Sequence, residues 1–228
     1  MPHKGRVMPS SQHTPEQSRW QRFFNRWLYD RLPALYNAID PLTFGTWWRL
    51  VRHALDYLPP GGAVLEIGFG PGRLHLELAR RAERCAGLDL AWGMCRFTRR
   101  RLDRAGLDSL IVRGTAYALP FPAGCFDAVI STFAVSGMPD AAAVLREVAR
   151  VLTPGGRVIL IDIGLPSDGN RAGVFWARLW ERMGDFLYDQ PALMRAAGLE
   201  VIAVDEYGPG NHIRAVVGCK PAEPHQLR

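Results

Sequence analysis

The sequence predicts an α/β fold: a Rossmann-like, doubly wound sheet of seven strands, mostly parallel with an antiparallel last strand, preceded by an N-terminal helical cap. Three observations predict it. From Ala63 onward, short β-rich runs alternate with helical stretches. The strand runs are almost continuously apolar, as strands covered on both faces are. Finally, the run VLEIGFGPGRL places three glycines between the first strand and the first helix of that series, where open α/β sheets hold their ligands.

Residues 1–17 are rich in Pro, Ser, His and Gln without periodicity and read as a disordered tail. Residues 18–60 read as a helical cap, because Trp20, Phe23, Phe24, Trp27 and Leu28, then Trp47, Leu50, Val51, Ala54, Leu55 and Leu58, recur at helical spacing. Pro33 and Pro41 interrupt that pattern, and the cluster Pro59, Pro60, Gly61, Gly62 ends it. Residues 61–221 form the sheet domain. AVLEIG is its first strand, followed by a helix through LHLELARRA. RCAGLDL precedes a helix through MCRFTRRRLDRAG; SLIVRG and FDAVIST are strands, AAAVLREVARVL a helix, and RVILIDIG the fifth strand. A less regular stretch from Leu165 to Gln190 precedes a short helix, PALMRAAG. LEVIAVDEYG and HIRAVVGCKP then flank a Pro-Gly-Asn turn and are expected to pair as a hairpin, with an antiparallel strand closing one edge.

Composition bounds the function. With 228 residues, 48% of them hydrophobic and 22% charged, the chain buries a real core in one domain with modest additions, which excludes wholesale disorder and collagen-like repeats. The net charge of +6, with a pI near 9.5, favours acidic partners without choosing among nucleic acid, anionic lipid and charged metabolites. Part of that charge is local: residues 1–60 carry eight Lys/Arg against four Asp/Glu, beside the tryptophan-rich stripe. Cys85, Cys95, Cys125 and Cys219 lie far apart, without zinc-site or disulfide-framework spacing, and read as reduced thiols; no metal is expected. The basic N-terminus lacks an apolar signal-peptide core, and no uncharged apolar run reaches the roughly 18 residues of a membrane span. The expected location is cytoplasmic, at most peripheral to a membrane.

The chemistry begins at Gly68, Gly70 and Gly72, whose missing Cβ atoms let the chain turn sharply and a ligand approach closely. Glu66 precedes them by two positions. A carboxylate beneath the loop disfavours a pyrophosphate and favours a ligand with an ammonium group. Asp89 follows Gly72 by seventeen residues and ends the second strand, where a carboxylate accepts both hydroxyls of a ribose.

These motifs resemble the class I S-adenosylmethionine-dependent methyltransferases, and the resemblance runs over residues 62–220. GTAYALPFPAGCFDAVIST is similar to that family's GDAxxLPFxxxxFDxVxx block, and LREVARVLTPGGRVILIDI to its helix, PGG turn and fifth strand. The resemblance implies S-adenosyl-L-methionine as cofactor. By position, Glu66 takes its ammonium group directly or through water, and Gly68, Gly70 and Gly72 make room for the methionine and ribose parts. Asp89 takes the ribose hydroxyls, Leu90 lines the adenine, Ala116 lies beside the adenine edge and Thr132 lines the methionyl side. Thr115 stands where the family often carries an acid for the adenine amino group, a loss of one charge-assisted hydrogen bond worth about 1.5–3 kcal/mol. Tyr36 to Leu50, with LPFPAGCFD, is also faintly similar to the ubiquinone/menaquinone C-methyltransferases, although their signature histidine is absent and Thr46 and Trp47 occupy its neighbourhood.

Methyl transfer from a sulfonium demands alignment more than a universal catalytic residue, and no catalytic residue is assigned. Tyr117, His212 and Asp162 are the candidate bases if the acceptor needs one, but for each the structural reading is preferred, since a polar residue near a pocket is usually satisfied structure. The acceptor is expected to be small and lipid-like or aromatic, of the quinone-precursor or phospholipid-amine type. Phe175, Trp176, Leu179, Trp180 and Met183 form a stripe that fits either a substrate lid or packing on the sheet. Arg19, Arg22, Arg26 and Arg31, interleaved with aromatics, fit an interfacial helix or a solvated face. The second basic cluster, Arg96, Arg99, Arg100, Arg101 and Arg104, reads as a solvated helix face, which disfavours nucleic acid. The alternatives are an RNA or protein methyltransferase and, from another class, a non-catalytic S-adenosylmethionine-binding protein.

Overall fold

A computed structural model of the chain describes residues 46–222. The tail expected over 1–17, and the expected cap as far as residue 45 with its interleaved arginines, lie outside the described residues.

The first strand, β1 (Ala63–Ile67), is buried at every position, and its side chains alternate between two core layers. Leu65 and Ile67 join one layer and Val64 the other. Glu66 therefore points to the same side as Val64. After β1 come α2 (Arg73–Arg81), β2 (Arg84–Asp89), α3 (Trp92–Ala105), β3 (Leu110–Arg113) and β4 (Phe126–Thr132). The chain continues with α4 (Ala141–Val151), β5 (Leu152–Ile163), α5 (Arg171–Met183), α6 (Gln190–Ala196), β6 (Glu200–Tyr207) and β7 (Ile213–Cys219). Ahead of them, α1 (Thr46–Arg52) runs into a single 3-10 turn over His53–Asp56.

The seven strands lie in the order β3-β2-β1-β4-β5-β7-β6. The first five are mutually parallel, and β7 runs antiparallel to both of its neighbours. This is the predicted fold, with one refinement. The antiparallel strand does not close an edge: β7 inserts between β5 and β6, and β6 is the edge strand. The burial pattern shows why. β7 is apolar on both faces and buried along Ala215–Gly218, whereas β6 alternates and leaves Ile202 and Val204 about half exposed.

Leu145 and Val148 of α4 and Met194 of α6 cover one face of the sheet. Leu74 and Leu78 of α2, with Val51, Ala54 and Leu55 of the α1 segment, cover the other. Tyr207 Oη donates to the Leu50 carbonyl at 3.2 Å and Tyr57 Oη to Asp205, tying the described end of the cap to β6. The strand order reverses between β1 and β4, so a crevice opens at their carboxyl ends, where the glycine loop and the segments after β4 and β5 converge.

Candidate cofactor and acceptor site

The loop from Gly68 to Gly72 turns through three left-handed residues, with φ of 71°, 51° and 72° at Gly68, Gly70 and Gly72. A Cβ on Gly68 would stand 2.4 Å from the Ala134 Cβ, and one on Gly72 would stand 2.4 Å from Thr98. Both glycines are thus demanded by the protein itself. At Gly70 a Cβ would meet nothing within 4 Å, so this residue faces open space. The loop is braced from behind: Thr98 Oγ1 donates to the Gly70 carbonyl at 3.0 Å, and Arg101 Nη1 to the Pro71 carbonyl at 2.9 Å.

Asp89 is brought to this loop. Its Oδ2 accepts the Gly70 N–H at 2.9 Å and its Oδ1 accepts the Ala91 N–H at 2.8 Å, which fixes the carboxylate at the end of β2. Leu90, the next residue, is 61% exposed. Across the end of β3, the Gly114 N–H donates to the Asp89 carbonyl at 3.0 Å, which sets the turn carrying Thr115 and Ala116. Ala116 is buried; Thr115 is exposed, and its hydroxyl accepts the Tyr117 N–H at 3.3 Å. Thr132 ends β4, half-buried. Phe133 follows with φ 50°, a conformation that costs a non-glycine residue of order 1–3 kcal/mol and clusters at functional sites.

Glu66 is placed differently from the rest. It is 1% exposed, and its Oε2 lies 3.0 Å from His75 Nδ1 inside the α2 layer. The other ring nitrogen, Nε2, lies 2.8 Å from Ser109 Oγ, which donates onward to the Cys85 carbonyl at 2.9 Å. Since the Ser109 proton is committed to that carbonyl, Nε2 must carry one of its own. Burial opposes charge on His75, but its contacts with Cys85 and the Glu66 carboxylate outweigh it and raise the imidazole to about 9.

The candidate bases separate. Asp162, on β5, is buried, with Oδ2 accepting the Ser136 N–H at 2.8 Å and Oδ1 the Ile163 N–H at 2.9 Å. Burial pushes its carboxyl up to about 6 against those donors. Ser136 Oγ donates to Asp185 at 3.1 Å, so two buried or half-buried carboxyls share the loop after β4. Beside them Gln190 donates to the Ile163 carbonyl at 2.9 Å, while its buried Oε1 has no donor among the described residues. His212 Nδ1 donates to the Pro209 carbonyl at 2.7 Å, and its ring stacks on Trp176 at 6.4 Å; burial lowers its affinity for a second proton. Tyr117 is 39% exposed on the turn after β3.

Helix α5 resolves the stripe of aromatics. Its buried face is Gly173 and Ala177, while Phe175, Trp176 and Met183 are 62%, 41% and 50% exposed. The large side chains of the stripe are therefore not its buried face, although Leu179 and Trp180 are half-buried.

Sequence reasoning missed His75, Ser109, Phe133, Asp185 and Gln190. Only His75 carried a signal, a histidine in the first turn of an otherwise apolar helix face. Among the described residues, no group of three or more His, Cys, Asp and Glu is placed to hold a metal ion, and no helix is long and apolar enough to cross a membrane.

Residues 65–160 match the family described as "Methyltransferase domain". A demethylmenaquinone methyltransferase of Thermus thermophilus is 34% identical over 165 residues, covering 70% of this chain and 74% of that protein. A 2-phytyl-1,4-naphtoquinone methyltransferase of Thermosynechococcus vestitus is 32% identical over 145 residues, covering 61% of this chain and 64% of that protein. Among solved structures, a geranyl diphosphate C-methyltransferase of Streptomyces coelicolor, in complex with S-adenosyl-L-homocysteine, superposes with a TM-score of 0.63 at 15% identity, covering 76% of each chain.

Proposed function

We propose, from the premise that this chain belongs to the class I S-adenosylmethionine-dependent methyltransferases, that it methylates a lipid-tailed aromatic acceptor of the quinol class. The observation that carries this reading is the contrast at the acceptor end of the sheet. The exposed apolar face of α5 carries Phe175, Trp176 and Met183, with Trp176 stacked on the buried His212, and the loop after β4 gathers the buried Asp162 and the half-buried Asp185. Sites for aromatic ligands have this composition: largely apolar walls with a few polar groups fixing orientation. The names of the relatives from Thermus and Thermosynechococcus add weight to quinone-type acceptors over phospholipid amines.

The cradle fits the cofactor, because Gly70 faces open space directly beside the Asp89 carboxylate. When bound, S-adenosylmethionine supplies an electrophilic methyl group on a sulfonium whose departure leaves a neutral thioether. We assign the cofactor to Glu66, Gly68, Gly70, Gly72, Asp89, Leu90, Thr115, Ala116 and Thr132. Within that set Glu66 acts as half of a buried pair with His75. The protein's remaining work is alignment and exclusion of water, which supplies about 7–11 kcal/mol in well-oriented systems. Asp162 contributes by holding the loop after β4 through the Ser136 N–H. The division of the chain into a tail over 1–17, a cap over 18–60 and a methyltransferase domain over 61–221 belongs to the same proposal.

The test is transfer of labelled methyl groups from the cofactor by the purified full chain. A reduced 2-polyprenyl-1,4-naphthoquinone, phosphatidylethanolamine and bulk RNA are offered in parallel. Label is expected in the naphthoquinol; label confined to RNA or to phospholipid overturns the acceptor assignment.

A further inference from the structure

The basic cluster on α3 forms one wall of a hollow of about 360 Å³, whose other wall is the edge strand β3. Trp92, Cys95, Arg96, Arg99, Arg100, Ile111 and Arg113 line it. Residues 92, 96, 99 and 100 fall on one face of a helix by their spacing, and Arg113 reaches the same hollow from the end of β3. No acidic residue lines it. Arg96, Arg99 and Arg100 make no hydrogen bond or ion pair among the described residues, although Asp103 stands one turn further along. Arg113 is held by its Nε donating to the Leu90 carbonyl at 3.3 Å. Between residues 92 and 113 there are six arginines and two aspartates, Asp103 and Asp108. Four arginines elsewhere among the described residues, Arg80, Arg150, Arg178 and Arg214, each meet a glutamate. The concentration of unpaired guanidinium groups in one hollow therefore sets this face apart, since each is a planar donor fork suited to phosphate oxygens.

The rim of the hollow selects among phosphate-bearing partners. Trp92, which lines it, is 52% exposed. An indole beside arginines suits a bilayer interface, where the ring enters the acyl boundary and the guanidinium groups stay at the headgroups. A lipid-tailed acceptor, as proposed above, favours a bilayer over a nucleic acid as the occupant. Arg113 and Trp92 flank the carboxyl ends of β3 and β2, the end of the sheet at which the site opens. Docking there would turn the mouth of the site toward the membrane.

We propose that the α3–β3 face is a docking surface for anionic phospholipid headgroups, by which the protein collects a lipid-tailed acceptor from the bilayer. The inference rests on the reading of that acceptor, but Trp92, Arg96, Arg99 and Arg100 are not among the residues assigned to cofactor or acceptor.

The experiment is co-sedimentation of the full chain with vesicles of phosphatidylcholine alone and of phosphatidylcholine with 30% phosphatidylglycerol. It is run on the natural protein, on the triple variant Arg96→Glu, Arg99→Glu, Arg100→Glu, and on Trp92→Ser. The natural chain is expected to bind only the anionic vesicles, and the triple variant to lose at least about tenfold in partition, each basic residue near such a surface contributing several-fold. Trp92→Ser is expected to weaken binding with its charge unchanged. Methyl transfer to a short-chain naphthoquinol in detergent is expected to be unaffected in both variants, which shows that they are folded. Unchanged vesicle binding by the triple variant overturns the proposal. So does competition by inorganic phosphate beyond the effect of matched ionic strength, or loss of RNA binding in place of vesicle binding. Vesicle binding without methyl transfer to any quinol sinks the acceptor reading alone; methyl transfer without vesicle binding sinks the docking surface alone.

Discussion

His75 Nδ1 and Glu66 Oε2 lie 3.0 Å apart, with both side chains at most 2% exposed, directly beneath the glycine loop. The pair exists because β1 directs Glu66 toward the α2 layer and Gly87, its partner on β2, has no Cβ. A side chain at 87 would stand 2.6 Å from the His75 ring. Removing one member leaves the other buried without its counter-charge, which costs about 3–5 kcal/mol, whereas replacing both by apolar residues is far milder. His75→Leu is therefore expected to lower unfolding stability in urea by that amount, and the double variant Glu66→Leu, His75→Leu by distinctly less than the sum of the singles. Additive losses would show that the two residues do not act as a pair.

The same pair sets a pH dependence. His75 is raised in the folded protein from 6.5 to about 9, so folding binds a proton that the unfolded chain releases earlier. Its contribution is complete below about pH 6.5 and disappears as the pH rises through about 9. Stability measured between pH 7 and 10 is expected to fall in the natural chain and to stay flatter in His75→Leu. Parallel curves would assign the alkaline loss to other groups.

Asp89 ties the loop to the sheet and, in the proposed cofactor assignment, offers its carboxylate to the ligand, so its removal is expected to act on binding before it acts on folding. Asp89→Ala frees the Gly70 and Ala91 amides and deletes a charged acceptor. One charge-assisted hydrogen bond is worth about 1.5–3 kcal/mol, or more than tenfold in affinity. Calorimetric titration with S-adenosylmethionine is expected to show at least that loss, with the unfolding transition retained. Equal affinity in the variant would remove Asp89 from the site.

The aromatic face of α5 depends on a backbone contact. A Cβ on Gly173 would stand 1.7 Å from the Gly210 carbonyl oxygen, so the helix lies against the β6–β7 turn at a distance only glycine allows. Gly173→Ala must push α5 away, at about 1–3 kcal/mol of overpacking strain. Because α5 carries Trp176 over His212, the displacement is expected to raise the KM for the naphthoquinol while leaving the Kd for the cofactor unchanged. An effect on cofactor affinity alone would place α5 on the wrong side of the reaction.

How far these features were legible depends on how local their causes are. Gly68, Gly70, Gly72 and Asp89 were readable because a strand, a tight turn and a helix follow one another within a few residues. The place of β7 was not: the β6–β7 hairpin follows from its turn, but which strand meets β5 is decided by which is apolar on both faces. The periodicity of the α5 stripe left a lid and packing on the sheet equally open, and the buried face is made of Gly173 and Ala177, because close approach to a turn selects small residues over large ones. His75 was hidden for a related reason. Its partners Glu66, Cys85 and Ser109 lie on or beside three different strands, and only the parallel register brings them together.

Glu147 joins α4 to the segment that leads from Thr115 toward β4. Its Oε2 accepts the Leu119 N–H at 2.7 Å, and both its oxygens bind Arg150, whose guanidinium in turn donates to the Leu119 and Phe121 carbonyls. Glu147→Ala strands a buried amide and releases Arg150, at about 1–3 kcal/mol. The hydrogen bond from Arg150 leads the causes that hold the Glu147 carboxyl below 4.5, so its contribution is present above about pH 4.5 and is lost as the pH falls through the lower folded value. The natural chain is expected to lose stability over that acid range more steeply than Glu147→Ala or Glu147→Gln. Because the segment carries Thr115 and Ala116, both variants are also expected to weaken cofactor binding modestly at neutral pH. Full cofactor affinity together with unchanged acid stability would mean that the segment holds its shape without Glu147.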